Sequence, residues 1–173
     1  MVTSYDGLML DTLYRHLVRR ATIYLWVFVA FVAFGRYFSL TINVSDSLPG
    51  TIFLVEKGTK PGKGDLAAFR YGGGGPYERG VLFLKRILGV AGSEVVAEDV
   101  GKGYREYFVD GQSVGRAKPI SKGGKPLQHG PVGIIPNGHF FMSAPHPDSL
   151  DSRYALVGWV AETELVGRAI SLY

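Results

Sequence analysis

Fifteen consecutive residues without a charge, Ala21 to Gly35 (ATIYLWVFVAFVAFG), stand behind Arg15, Arg19 and Arg20 and in front of Arg36. An apolar run of this kind has three fates: it is buried in a core, spans a bilayer, or is removed as a leader. It is short for a span of about 20 residues. It reaches that length if Arg36 snorkels outward and Tyr37 to Ile42 continue the helix, with Tyr24, Trp26 and Tyr37 as interfacial anchors. Three arginines precede the run, and after Arg36 the next basic residue is Lys57. The positive-inside rule then divides the chain into a short cytoplasmic segment (1–20), a transmembrane anchor (21–41) and an extracytoplasmic domain (43–173). No clear small-x-small site follows the run, which favours an uncleaved anchor over a cleaved signal; a buried core helix is the third alternative.

At 173 residues and 46% hydrophobic, the chain is long enough for one compact core plus an appendage. There is no cysteine, which excludes disulfides, thiolate catalysis and Cys-ligated zinc. Of the net charge of +4, part is local: beyond residue 36 stand 15 basic and 13 acidic residues. So balanced a body does not indicate a nucleic-acid surface.

Beyond residue 43 no helical periodicity stands out, whereas short apolar or β-branched runs recur between glycines and prolines. Strands are expected at Ile52 to Val55, Leu66 to Arg70, Val81 to Leu88, Glu94 to Ala97, Tyr104 to Val109, His139 to Ser143, Leu156 to Val160 and Gly167 to Leu172, an all-β pattern. Asp110-Gly111 is a hairpin turn signal, since glycine accepts positive φ. Tyr71 to Pro76 (YGGGGP) lacks the Lys-Ser or Lys-Thr and the helix of a phosphate loop and reads as a mobile surface loop.

Two residues carry chemistry. Ser47 lies in Val44-Ser45-Asp46-Ser47-Leu48-Pro49-Gly50, and Lys85 in Phe83-Leu84-Lys85-Arg86-Ile87-Leu88-Gly89. A serine hydroxyl needs a positioned base, and an amine serves only when neutral. Lysine ordinarily titrates near ~10.4, so its surroundings must desolvate it. Alternate strand residues share a face, which sets Lys85 beside Val81, Phe83 and Ile87. Taken singly, Lys85 is an edge residue that snorkels and Ser47 part of a polar turn.

Both segments are followed by a third, Asp148-Ser149-Leu150-Asp151-Ser152-Arg153-Tyr154 with Val157-Gly158-Trp159-Val160. In this order the three resemble the conserved boxes of the type I signal peptidase (leader peptidase) superfamily, from about Ser45 to Arg168, where Leu165-Val166-Gly167-Arg168-Ala169 is similar to the family's closing strand. The resemblance implies an all-β catalytic domain, a signal-peptidase-like barrel or sandwich, behind a membrane anchor. It implies Ser47 as nucleophile, Lys85 as general base, Ser45 as a hydroxyl assisting the oxyanion hole, and Ser149 as hydrogen-bond partner of the lysine amine. Asp151 and Arg153 match the family's acidic and basic pair, with a chemical role or a structural salt bridge as alternatives. It implies no cofactor.

One residue, Leu48, separates Ser47 from Pro49, where leader peptidases place two. Ser-Leu-Pro resembles the TraF-type peptidases of conjugative transfer, although their pattern has a residue between proline and glycine and here Pro49-Gly50 adjoin. This implies a bacterial inner-membrane enzyme whose partners are membrane lipid and a preprotein substrate, a pilin precursor that it trims or closes into a ring. The alternatives are a general signal peptidase and a non-catalytic component of a pilus or secretion assembly. A Ser47, His146, Asp148 or Asp151 triad, and a metal site of His139, His146 and Asp148, find no supporting pattern among the four histidines.

Overall fold

The computed structural model describes residues 5–43, 45 and 47–173. The chain forms two compact units that meet in sequence at Tyr37 and Phe38. Residues 1–4 of the expected cytoplasmic segment, and Val44 and Asp46 of the serine segment, lie outside the described residues.

The first unit is helix α1, Tyr5–Tyr37. Met9–Tyr37 is long and apolar enough to cross a membrane, and the helix is exposed along that whole stretch. Exposure removes the buried core helix from the alternatives. Its 29 residues measure about 44 Å at 1.5 Å per residue, ample for a hydrocarbon layer of about 30 Å. The helix gains this length backwards, through Arg20, Arg19 and Arg15, the last paired with Asp11 at 2.8 Å one turn earlier. It does not continue to Ile42 as expected. Phe38–Ile42 is strand β1, antiparallel to β2 (Ile52–Lys57), with Ile42 opposite Ile52 and Leu40 opposite Leu54. Leu40-Thr41-Ile42 is a β-former, and strand pairing overrides helical continuation.

The second unit is all-β. Its remaining strands are β3 (Leu66–Arg70), β4 (Leu82–Gly89), β5 (Glu94–Asp99), β6 (Arg105–Val109), β7 (Gln112–Ala117), β8 (Gly133–Ile134), β9 (His139–Ser143), β10 (Val160–Ala161) and β11 (Leu165–Ser171). A seven-stranded sheet runs β1-β2-β11-β3-β4-β9-β10 and a four-stranded sheet β7-β6-β5-β8. Asp110 and Gly111 take φ of 49° and 75° at the β6–β7 turn, the left-handed pair that a tight hairpin requires. The strand expected at Leu156 to Val160 is instead a turn, in which Val157 and Gly158 both donate to the Tyr154 carbonyl; only Val160 enters β10. Its apolar residues Val157 and Trp159 pack onto the core without forming a ladder.

Three apolar clusters position the site. The first joins Leu48, ahead of β2, to Phe53, Val55, Ala68, Leu84, Ala144 and Ala169. The second lies between the sheets, with Val95, Tyr107 and Val109 against Phe141 and Ile135. The third holds Ala67, Phe69, Ile87, Met142 and Val160, with Phe83 at its margin. Strand β4 passes close beneath the second cluster at Gly89, where a Cβ would stand 2.6 Å from Ile135 Cδ1 and 3.2 Å from Phe141 Cβ. A larger residue would have to push Ile135 and its neighbours aside, which favours glycine as the last residue of the Lys-Arg-x-x-Gly segment.

Candidate active site

Strand β4 lies inside the large sheet, between β3 and β9. Lys85 faces Ala67 across the β3 ladder, and Ala67 is fully buried. The alternation expected from sequence holds within β4: Phe83 and Ile87 accompany Ala67 in the third cluster, while Leu84 points into the first; Val81, expected on the same face, precedes the strand and is exposed. Lys85 itself is 5% exposed. Its Nζ lies 5.7 Å from the centroid of the Phe83 ring, and among the described residues no salt bridge reaches it. Desolvation pushes the Lys85 pKa down to about 8, against the nearby charge of Asp151, which raises it, and with that of Arg153, which lowers it.

Phe83 is in turn enclosed. Tyr71 stacks on it at 4.6 Å, and Tyr77 meets it edge-on at 5.2 Å. Tyr71 opens the glycine loop and Tyr77 follows it; the loop lies at the surface as expected, with both flanking tyrosines turned onto Phe83. Gly74 and Tyr77 form a bridge, and the Tyr71 hydroxyl donates to the Gly74 carbonyl at 3.0 Å. The glycines thus let the chain fold back so that two tyrosines cover the aromatic neighbour of Lys85.

Ser47 sits in the loop between β1 and β2. The Ser45 and Ser47 hydroxyls lie 2.8 Å apart. Asn43, which the sequence reading passed over, organises the loop. Its Oδ1 accepts from the Ser45 N–H at 3.2 Å and the Ser45 hydroxyl at 3.0 Å, while its Nδ2 donates to the Leu48 and Gly50 carbonyls at 3.1 and 3.3 Å. The Asn43 N–H donates to the Thr51 carbonyl at 2.8 Å, and the N–H of Thr51 and Ile52 share the Tyr173 carbonyl. Gly50 closes the turn with φ of 105°. A residue between proline and glycine would move that left-handed position, so the adjacent Pro49-Gly50 suits this turn. Leu48 and Leu84, the chain neighbours of Ser47 and Lys85, pack in one cluster. Among the described contacts, however, Ser47 Oγ is bonded to Ser45 and not to Lys85.

The third segment forms a buried polar knot. Asp151 and Arg153 are 0% and 2% exposed and joined at 2.7 Å. Asp151 also accepts from Arg153 Nε at 2.8 Å, the Ser143 hydroxyl at 3.0 Å, and the N–H of Ala144 and Arg153 at 3.2 Å each. Arg153 spends its other donors on the carbonyls of Arg116, Ala144 and His146. Burial opposes charge on Arg153, but the hydrogen bonds and charge of Asp151 outweigh it and hold its pKa above the ordinary value. Ser152 exchanges two 2.9 Å bonds with Met142 of β9, N–H to carbonyl and hydroxyl from N–H. Ser149 is 3% exposed, and its hydroxyl makes no hydrogen bond among the described residues, so its expected bond to Lys85 is not formed here.

Ser143 and Asn43 are the two site residues the sequence reading missed. Ser143 ends an apolar strand, where a hydroxyl passes for a turn residue. Asn43 follows β1, a segment read as helix, and so was not placed at a loop entrance. The paper triad does not assemble. His146 Nδ1 accepts the Asp148 N–H, Lys118 takes the Asp148 carboxylate, and Arg153 takes Asp151.

A family model described as signal peptidase, peptidase S26, matches residues 14–173. No curated protein matches the chain significantly.

Proposed function

The chain belongs to the signal peptidase family, peptidase S26, whose members are membrane-associated serine peptidases, and from that premise we propose that it cleaves a membrane-inserted preprotein with Ser47 as nucleophile and Lys85 as base. The observation that carries this reading is the burial of Lys85 on an apolar sheet face, with its pKa down to about 8. A lysine so placed is neutral in a usable fraction of molecules near pH 7.

A cleavage segment adds as an extended strand, its backbone supplying affinity. Lys85 takes the Ser47 proton as the oxygen attacks the scissile carbonyl. The Ser47 N–H and the Ser45 hydroxyl hold the oxyanion, such donors being worth roughly 3 kcal/mol each. The Lys85 ammonium protonates the leaving amine, and an acyl-enzyme remains on Ser47. The free Ser149 hydroxyl is the group that would orient the Lys85 amine. Asp151 and Arg153 act as the structural brace of this region.

We assign α1 as the anchor in the bacterial inner membrane, with its N-terminus in the cytoplasm, on the strength of its arginines and exposed apolar length. The Ser47-Leu48-Pro49 spacing favours the conjugative, TraF-type substrate, a pilin precursor, over secretory preproteins in general. Release by water leaves a trimmed chain, whereas attack by the substrate's own amine closes a ring.

Purified enzyme incubated with a candidate pilin precursor, read by intact mass, tests both levels. Trimming abolished by Ser47→Ala and by Lys85→Ala supports the dyad; full processing by both variants removes it, and no processing by the parent chain is what a non-catalytic assembly component would give. A product one water lighter than the trimmed chain marks cyclisation.

A further inference from the structure

We propose that Asn43 is a positioning residue of this centre: it fixes the direction of the hydroxyl protons of Ser45 and Ser47 and clamps the far side of the loop that carries them. The inference rests on the reading of Ser47 as nucleophile.

The orientation of the Asn43 amide follows from its partners. On one side stands the Ser45 N–H, which only donates, and on the other stand the Leu48 and Gly50 carbonyls, which only accept. A flipped amide would set donor against donor and acceptor against acceptor at all three. Oδ1 therefore faces Ser45 and bears no hydrogen, so in its 3.0 Å contact with the Ser45 hydroxyl the serine must donate. A hydroxyl has one proton. With that proton committed to Asn43, Ser45 Oγ is the acceptor in its 2.8 Å contact with Ser47, and Ser47 is the donor. Donation thus runs from Ser47 to Ser45 to Asn43.

This chain defines a resting state. The Ser47 proton is parked on a neutral oxygen. Catalysis requires the Ser47 proton to swing to Lys85, after which Ser45 loses its donor and turns its own proton to the developing oxyanion. Asn43 holds Ser45 in place throughout by the Ser45 N–H, which does not turn. The other half of the amide ties the loop's exit. With two donors and two acceptor sites used, asparagine is saturated here. Aspartate would set a carboxylate against the Leu48 and Gly50 carbonyls, and serine lacks the donor pair.

The test uses the full chain in detergent with a precursor peptide. Asn43→Ala is expected to lower kcat by ~10- to 100-fold, the scale of a misplaced reacting group, while KM stays within about twofold and the midpoint of the pH profile stays put, because the surroundings of Lys85 are untouched. Asn43→Asp, of equal size, carries the same expectation for kcat should the alanine variant not fold, as checked by thermal melting; its added charge acts on Lys85, so the pH midpoint is compared for the alanine variant alone. In the double variant with Ser45→Ala the losses should be less than multiplicative, since Asn43 acts through Ser45. An unchanged kcat in the folded variants, losses that multiply fully, or a shifted pH midpoint in Asn43→Ala overturns the proposal. Activity retained by Ser47→Ala instead overturns the nucleophile assignment on which it rests.

Discussion

The loop that carries Ser47 and the strand that carries Lys85 are held by different forces. Among its described residues, the loop between β1 and β2 relies on one asparagine side chain and a few backbone bonds, with Ser45 and Pro49 exposed and Leu48 anchored in the core. Strand β4 is paired on both sides and its Lys85 is buried among apolar residues. A nucleophile must approach substrate, exchange its hydrogen-bond partner and return; a polar, side-chain-tied loop allows that. A lysine base must stay dry, and only a rigid interior keeps it so.

The largest effect should come from removing either end. Ser47→Ala and Lys85→Met should each lower kcat by ~10³-fold or more. Their stabilities should diverge. At neutral pH, burial of Lys85 with its pKa near 8 costs about 3 kcal/mol relative to a lysine in water. That cost is fully present below the folded value and fades as pH rises toward the unfolded one. Lys85→Met should therefore melt higher at pH 7, with the gain vanishing near pH 10, and Ser47→Ala should melt as the parent does. A lower melting temperature for Lys85→Met at pH 7 would break the contrast.

Next comes the brace. Asp151→Ala leaves Arg153 buried without its partner and should cost about 3–5 kcal/mol in denaturant unfolding. A loss below about 1 kcal/mol would mean the knot is not what steadies this region. The pH dependence is smaller per step: kcat should rise about tenfold per pH unit below the Lys85 pKa of about 8 and level off above it. A rate flat from pH 6 to 10 would contradict a lysine base.

The smallest effect tests a point far from the loop. Asp110 accepts from Lys63, the Glu94 N–H and Ser93, which hold its pKa down to about 2. Its contribution is present above the unfolded value and is lost as pH falls through about 2. Exposure screens it, so Asp110→Asn should change stability by less than ~1 kcal/mol at pH 7. A larger loss would show that the hairpin matters to the body more than its exposure suggests.

Much of this was legible in sequence wherever periodicity and burial agree. Leu66–Arg70 and His139–Ser143 form strands with the expected bounds, and the face of Lys85 followed from alternation alone. What escaped depended on partners distant in the chain. Phe38–Ile42 became a strand because Ile52–Lys57 lies beside it, a pairing no local window contains. Leu156 to Val160 is as apolar as a strand, yet Gly158 and the Tyr154 carbonyl turn it. Asn43 could not be recognised until that first strand put it at the mouth of the serine loop. The glycine loop does lie at the surface, but the stacking of Tyr71 and Tyr77 on Phe83 is set by register and shows in no local window.

The central place of β4 has a consequence for amide exchange. Backbone protons in a strand paired on both sides escape to solvent only in large opening events, whereas those of a loop tied by one side chain exchange through small local ones. The amide of Lys85 should report the global unfolding free energy and that of Ser47 a value near zero. Substrate can then be admitted, its acyl group passed to Ser47 and the product released by fluctuations of the loop that leave the strand of Lys85 closed.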